Sequence, residues 1–245
     1  MEGPGFETVI APDPEALYER SAAYVADYLS GLRENERISI ALAGGSTPAG
    51  LHEKLAAEPH RSNIPWERIH LFWGDERFVP PDDPGSNYRM ARESLIEVVP
   101  IPPENIHRIP GEAASPEAAA QQYEEALKNF FGPSSEWPAF ELIILGIGTD
   151  GHTASLFPGS PALEEKTRWV VAARAPVEPR HRITLTLPAI NHASRIFFLA
   201  SGTSKAPVLK DRLGGNSVPE KYPYQRVRPA GSNPVLFLDR KAAGT

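Results

Sequence analysis

Short apolar runs rich in β-branched and aromatic residues alternate along this chain with longer segments whose apolar positions recur every third or fourth residue. The first kind of segment reads as buried strand and the second as amphipathic helix. The strands are "RISIALAG" (37–44), "RIHLFWG" (68–74), "ENIHRIP" (104–110), "FELIILG" (140–146), "WVVAA" (169–173), "RITLTL" (182–187), "RIFFLAS" (195–201) and "PVLFLD" (234–239). Asp13-Pro14-Glu15 opens a helix with Asp as N-cap, and Leu17, Tyr24, Val25, Tyr28, Leu29 and Leu32 form its apolar face. Further helices begin at Thr47-Pro48, at Ser86 (to about Ile96), over 115–131, briefly at Pro188, and over 204–213. Apolar strands alternating with helices predict a three-layer α/β/α, Rossmann-like domain around a mostly parallel sheet. No linker divides the chain, so residues 1–245 are expected to form one domain.

In such sheets, ligands bind at the carboxyl ends of strands. The stretch "LIILGIGTDGHTASLF" (142–157) is one such end. Its Gly146, Gly148 and Gly151 match the spacing of a dinucleotide-binding fingerprint. The context argues against that reading. Asp150 would oppose a pyrophosphate, and Pro158 leaves no room for the long helix the fingerprint opens. An Arg174 at the end of the next strand could still take a 2′-phosphate, so a nicotinamide enzyme stays open as a remote alternative. His152 falls where a helix N-terminus would begin, a place that disfavours the imidazolium and suits a general base. A capping Asp with a packed His is the plainer alternative.

Four other clusters lie at strand ends. "LAGGSTPAG" (42–50) offers two glycines and two hydroxyls at a helix start, which is either a capped tight turn or an anion site. "FWGDERFVPPDDPGSNYRM" (72–90) places Asp75, Glu76 and Arg77 after a strand and before a long Pro-rich loop. That loop is either a solvated connection or a lid over a ligand. In "HRITLTL" (181–187), Arg182, Thr184 and Thr186 share one strand face, and Arg182 is either an edge residue or a phosphate ligand. In "FLASGTSKAPVL" (198–209), Lys205 stands at a helix start beside a glycine and hydroxyls. Taken together they suit a small phosphorylated, polyhydroxylated substrate.

Composition narrows the chemistry. Of 245 residues none is Cys, which excludes disulfides, thiolate metal sites and a thiol nucleophile. Net charge is −6 with dispersed basic residues, so no nucleic-acid footprint is present. No run is long and apolar enough to span a membrane. The N-terminal "MEGPGFETVIAPDPEAL" has neither a basic nor an apolar leader segment, and a cytoplasmic location is expected. No His or carboxylate grouping has metal-ligand spacing.

The segments "LAGGSTP", "GDERFVP", "SNYRMARESL", "LGIGTDGHTASLFP", "RITLT", "SGTSKAPVL" and "QRVRP" resemble, in order and over nearly the whole chain from Ala41 to Asp239, those of the 6-phosphogluconolactonase family. The resemblance implies hydrolysis of 6-phosphoglucono-1,5-lactone, with no metal and no organic cofactor, by a monomer or small homo-oligomer. It implies His152 as catalytic base with Asp75 and Asp150 beside it. It further implies a phosphate site from Gly44, Gly45, Ser46 and Thr47 with Arg182 and Lys205, and Arg77 facing the substrate. The related glucosamine-6-phosphate deaminases share a D-G-H segment but carry a glutamate a few residues beyond the histidine. Here "TASLFP" has no carboxylate. A deaminase, or a non-catalytic sugar-phosphate sensor of the same fold, are the alternatives.

Overall fold

A computed structural model describes residues 5–33, 36–229 and 231–245. Six parallel strands form the central sheet in the order β1-β9-β8-β5-β2-β3. They are β1 (Glu7–Ala11), β2 (Ile38–Leu42), β3 (Ile69–Trp73), β5 (Leu142–Gly146), β8 (Arg195–Ala200) and β9 (Val235–Asp239). β2 and β9 are buried along their full length, as strands covered on both faces must be. The helices are α1 (Pro14–Ser30), α2 (Ser46–Leu55), α3 (His60–Asn63), α4 (Asn87–Ala91), α5 (Pro116–Phe131), α6 (Leu187–Asn191), α7 (Ala206–Leu213) and α8 (Arg240–Ala243). Asp13 caps α1 through a hydrogen bond from Ala16 N at 2.8 Å, as its sequence predicts. Helices flank the central sheet, giving the expected three-layer α/β/α, Rossmann-like architecture.

A second sheet departs from the expectation. β4 (Asp75–Arg77), β7 (His181–Leu185) and β6 (Val170–Arg174) form an antiparallel sheet in the order β4-β7-β6. The runs at 169–173 and 182–187 are therefore strands, but not strands of the parallel sheet. Gly74 joins the two sheets, its N–H donating to Leu42 O of β2 at 2.9 Å and its C=O accepting from Leu185 N of β7 at 2.8 Å. Hence Asp75, Glu76 and Arg77 are not the start of a solvated loop. Asp75 and Glu76 are 8% and 2% exposed.

Three further differences are local. The 104–110 run forms only a single bridge, Ile106 to Leu71, after a 3₁₀ turn at Pro103–Asn105, because prolines bracket it. The strand β1 is largely exposed and is held by pairing with β9, so no burial pattern announces it. The helix opened by Ser86 widens into a π-helical turn over Arg92–Ile96. Among the described residues, no helix is long and apolar enough to cross a membrane.

Candidate active site

Strand order reverses between β2 and β5: the chain runs from β2 outward to β3, then from β5 through β8 to β9 on the other side. The carboxyl ends of the strands around this point open into a cavity of about 220 Å³ that gathers Gly44, Gly45, Asp75, Arg77, His152 and Lys205. A crevice at such a switch point is where an open α/β sheet binds ligands. A larger hollow of about 730 Å³ lies next to it, between β6 and residues 157–162. Alanines and prolines make up half of its lining and Asp150 reaches it, while Asp75, Arg77, His152 and Lys205 converge on the smaller cavity at the switch point.

His152 and Asp150 form the centre. The His152 Nδ1–H donates to Asp150 Oδ1 at 2.6 Å, and the His152 backbone N–H donates to the same oxygen at 3.1 Å. Burial raises the pKa of the Asp150 carboxyl, but these bonds outweigh it and hold it below the usual carboxylate range. An ionised acceptor fixes the proton on Nδ1 and leaves the Nε2 lone pair free to take one. The ring rests on Phe157 with centroids 4.5 Å apart. The helix N-terminus expected at His152 is not formed. Gly151 has φ +82° and Ala154 φ +48°, and the chain turns here instead of coiling. The group that polarises His152 is a carboxylate, not a helix dipole.

Two of the three fingerprint glycines have identifiable tasks. A Cβ on Gly148 would lie 2.1 Å from His152 Nδ1 and 2.6 Å from Asp150 Oδ1, so the pair occupies the space a side chain would need. Gly151 combines its positive φ with Tyr222 packed where a Cβ would go. No Cβ clash constrains Gly146, and no helix follows the turn, so the nucleotide-binding context is missing.

The glycine pair 44–45 also divides its work. Gly45 is the N-cap of α2 at φ +104°, and no side chain caps that helix, whose first turn carries Ser46 and Thr47. Gly44 makes room for Asn87: a Cβ there would meet its Oδ1 at 1.8 Å. Lys205 ends the 3₁₀ turn Thr203–Lys205, which is anchored by Asp239. The Asp239 carboxylate accepts from Ser201 Oγ at 2.6 Å and from Gly202 N at 3.1 Å. Burial lowers the Lys205 pKa while Asp150 draws it up, which places the two within electrostatic reach.

Arg77 lines the cavity, and its Nη1 donates to Gly85 O of the Pro-rich loop. Arg182 is its cross-strand partner on β7. It is 6% exposed, its Nη1 has no hydrogen-bond partner among the described residues, and it stands behind the cavity lining rather than in it. Burial and then Arg77 lower its pKa. Glu76 is not part of the cavity lining. Its carboxylate accepts from the backbone N–H groups of Arg77 and Asn87 at 2.7 Å each and of Tyr88 at 2.8 Å, tying α4 to β4.

Two residues in the site were not singled out from sequence. Asn87 Nδ2 donates to Asp75 O at 2.9 Å and to Asp75 Oδ1 at 3.3 Å. Ser155 Oγ donates to Asp75 Oδ2 at 2.6 Å. Their only signal was membership of polar segments already noted, "SNYRM" and "GHTAS".

Comparison with known proteins places this geometry. The family model described as glucosamine-6-phosphate isomerases/6-phosphogluconolactonase matches residues 12–236. A 6-phosphogluconolactonase of Synechocystis sp. is 43% identical over 230 residues, covering 93% of each chain. The crystal structure of a devB protein superposes with a TM-score of 0.87 at 33% identity, covering 98% of each chain. The 6-phosphogluconolactonase of Trypanosoma cruzi does so with a TM-score of 0.86 at 28% identity, covering 99% of this chain and 97% of that one. With a family match spanning most of its length, this chain belongs to the glucosamine-6-phosphate isomerase/6-phosphogluconolactonase family.

Proposed function

We propose that this protein hydrolyses 6-phospho-D-glucono-1,5-lactone to 6-phospho-D-gluconate, the lactone-opening step of the oxidative pentose phosphate pathway. The observation that carries the reading is the Asp150–His152 pair, with Nε2 free at a cavity that also presents Lys205 and Arg77. His152 Nε2 takes a proton from water as the water oxygen bonds to the lactone carbonyl carbon. The carbonyl oxygen becomes an oxyanion, with Arg77 and backbone N–H groups as its donors. Collapse breaks the bond from that carbon to the ring oxygen, which receives the proton back from the imidazolium. The new carboxylic acid then ionises in water. Lys205 and the uncapped first turn of α2, with Gly44, Gly45, Ser46 and Thr47, hold the phosphate, and Arg182 adds positive potential from behind Arg77. Those remote contacts convert phosphate binding into positioning of the carbonyl.

The deaminase reading is second. It requires a further acid/base group beside the histidine. The turn after His152 supplies Thr153, Ala154 and Ser155, and Ser155 is committed to Asp75. The test is lactone hydrolysis coupled to 6-phosphogluconate dehydrogenase, run beside an ammonia-release assay on glucosamine 6-phosphate. Activity in the first assay alone is expected, with kcat lowered about 10²–10⁴-fold by His152→Ala. Ammonia release by the wild type, or near wild-type kcat in the variant, overturns the proposal.

A further inference from the structure

Asp75 is the carboxylate that lines the cavity, and both of its oxygens are already engaged by neutral donors. Oδ2 accepts from Ser155 Oγ at 2.6 Å and Oδ1 from Asn87 Nδ2 at 3.3 Å. Both donors are buried: Ser155 is 1% exposed, and Asn87, at the edge of the cavity lining, 2%. We propose that Ser155 and Asn87 are positioning residues that lock Asp75 as a fixed acceptor facing the substrate, and that the left-handed Ala154 exists to deliver Ser155 to it. This rests on the lactonase reading of the same site.

The backbone supports the assignment. Thr153 through Leu156 form a turn closed by Leu156 N donating to Thr153 O at 2.9 Å. Ala154 sits in it at φ +48°, a conformation costly for any residue with a Cβ and usually found where the surroundings impose it. His152 immediately precedes this turn. Ser155 lies within it, and its N–H donates to Thr184 Oγ1 at 3.2 Å. Thr153 Oγ1 pins the start of the turn to Gly146 O at 2.9 Å. A single strained turn therefore fixes the imidazole and, through Ser155, the carboxylate at the opposite strand end. The Asn87 amide has one workable orientation. Its other neighbours are the carbonyl and carboxylate of Asp75, both acceptors, so Nδ2 must face them. The notch at Gly44 receives its Oδ1.

The test is a double-mutant cycle in kcat/KM for lactone hydrolysis, with thermal midpoints as controls and Asn87→Ala as a second probe. Ser155→Ala is expected to lower kcat/KM about tenfold or more in the wild-type background, since it removes a bond to a charged group. In an Asp75→Asn background the same change is expected to cost less than about twofold, because the residue it acts through is gone. Equal fractional losses in both backgrounds, or no loss in Ser155→Ala, overturn the proposal. Crystal structures of Ser155→Ala and Asn87→Ala supply the arm that does not depend on activity. Asp75 is expected to turn from the cavity or spread over several rotamers, and an unmoved, singly ordered Asp75 overturns the positioning role. A wild-type chain inactive on the lactone would defeat the functional reading alone, leaving the structures to decide this one.

Discussion

The carboxylate of Asp150 holds the imidazole of His152 by a 2.6 Å bond to Nδ1, from two residues upstream in the same turn. The bond sets the tautomer of the neutral ring, leaving the lone pair on Nε2, where the proposed mechanism requires a base. Asp150→Asn keeps the side-chain size but no longer enforces that tautomer. The expected result is a fall in kcat of about 10²–10⁴-fold with little change in KM. Steady-state kinetics on the phosphorylated lactone check it, and an unchanged kcat would show that the pair is structural only.

Gly148→Ala tests the same pair from beneath. The new Cβ would fall 2.1 Å from Nδ1 and 2.6 Å from Asp150 Oδ1, so the pair must give way, while the hydrophobic core, of which neither is a member, is left intact. A displacement of about 1 Å at a reacting group costs about 10²-fold. The expected variant is folded by circular dichroism, with a thermal midpoint near wild type and kcat reduced by about that factor.

All of the central sheet except β1 was legible because buried parallel strands are largely apolar runs, and β2, β5, β8 and β9 are such runs. The second sheet was not, because "RITLTL" and "WVVAA" look the same whether their partners are parallel or antiparallel. Asp75–Arg77 carries no apolar residue, and only pairing with β7 makes it a strand. The D-G-H segment pointed to a loop that opens on the cavity, but not to its electrostatics: a glycine turn after a strand suggests a helix start, whereas Gly151 and Ala154 turn the chain. Asn87 and Ser155 stayed hidden because their importance lies in meeting Asp75 across sequence separations of 12 and 80 residues.

Lys205 and the phosphate it is proposed to hold can be separated from the chemistry by choice of substrate. Lys205→Ala is expected to raise KM for the phosphorylated lactone about tenfold or more, the order of a lost charge-assisted bond. Hydrolysis of unphosphorylated gluconolactone should change little. An equal loss on both substrates would mean that Lys205 acts on the reacting end of the sugar. Arg182→Ala, measured alongside, reports whether a cation behind the lining contributes by field alone.

His52 makes stability depend on pH in a predictable sense. It is completely buried on α2, with Nδ1 bonded to Ser94 Oγ at 3.1 Å and Nε2 without a partner among the described residues. Burial pushes its pKa down to about 4 from the ordinary 6.5. Between those values the unfolded chain binds the proton and the folded chain does not, so protons favour unfolding. The stability it contributes is complete above pH 6.5 and is lost as pH falls toward 4, amounting to about 3 kcal/mol across the interval. Other groups titrate in the same range, so the informative quantity is a difference. His52→Gln, which cannot take up the proton, should show a shallower fall in urea-unfolding free energy from pH 7 to pH 4.5 than the wild type. Parallel curves for the two proteins would show that His52 is protonated in the folded state as easily as in the unfolded one.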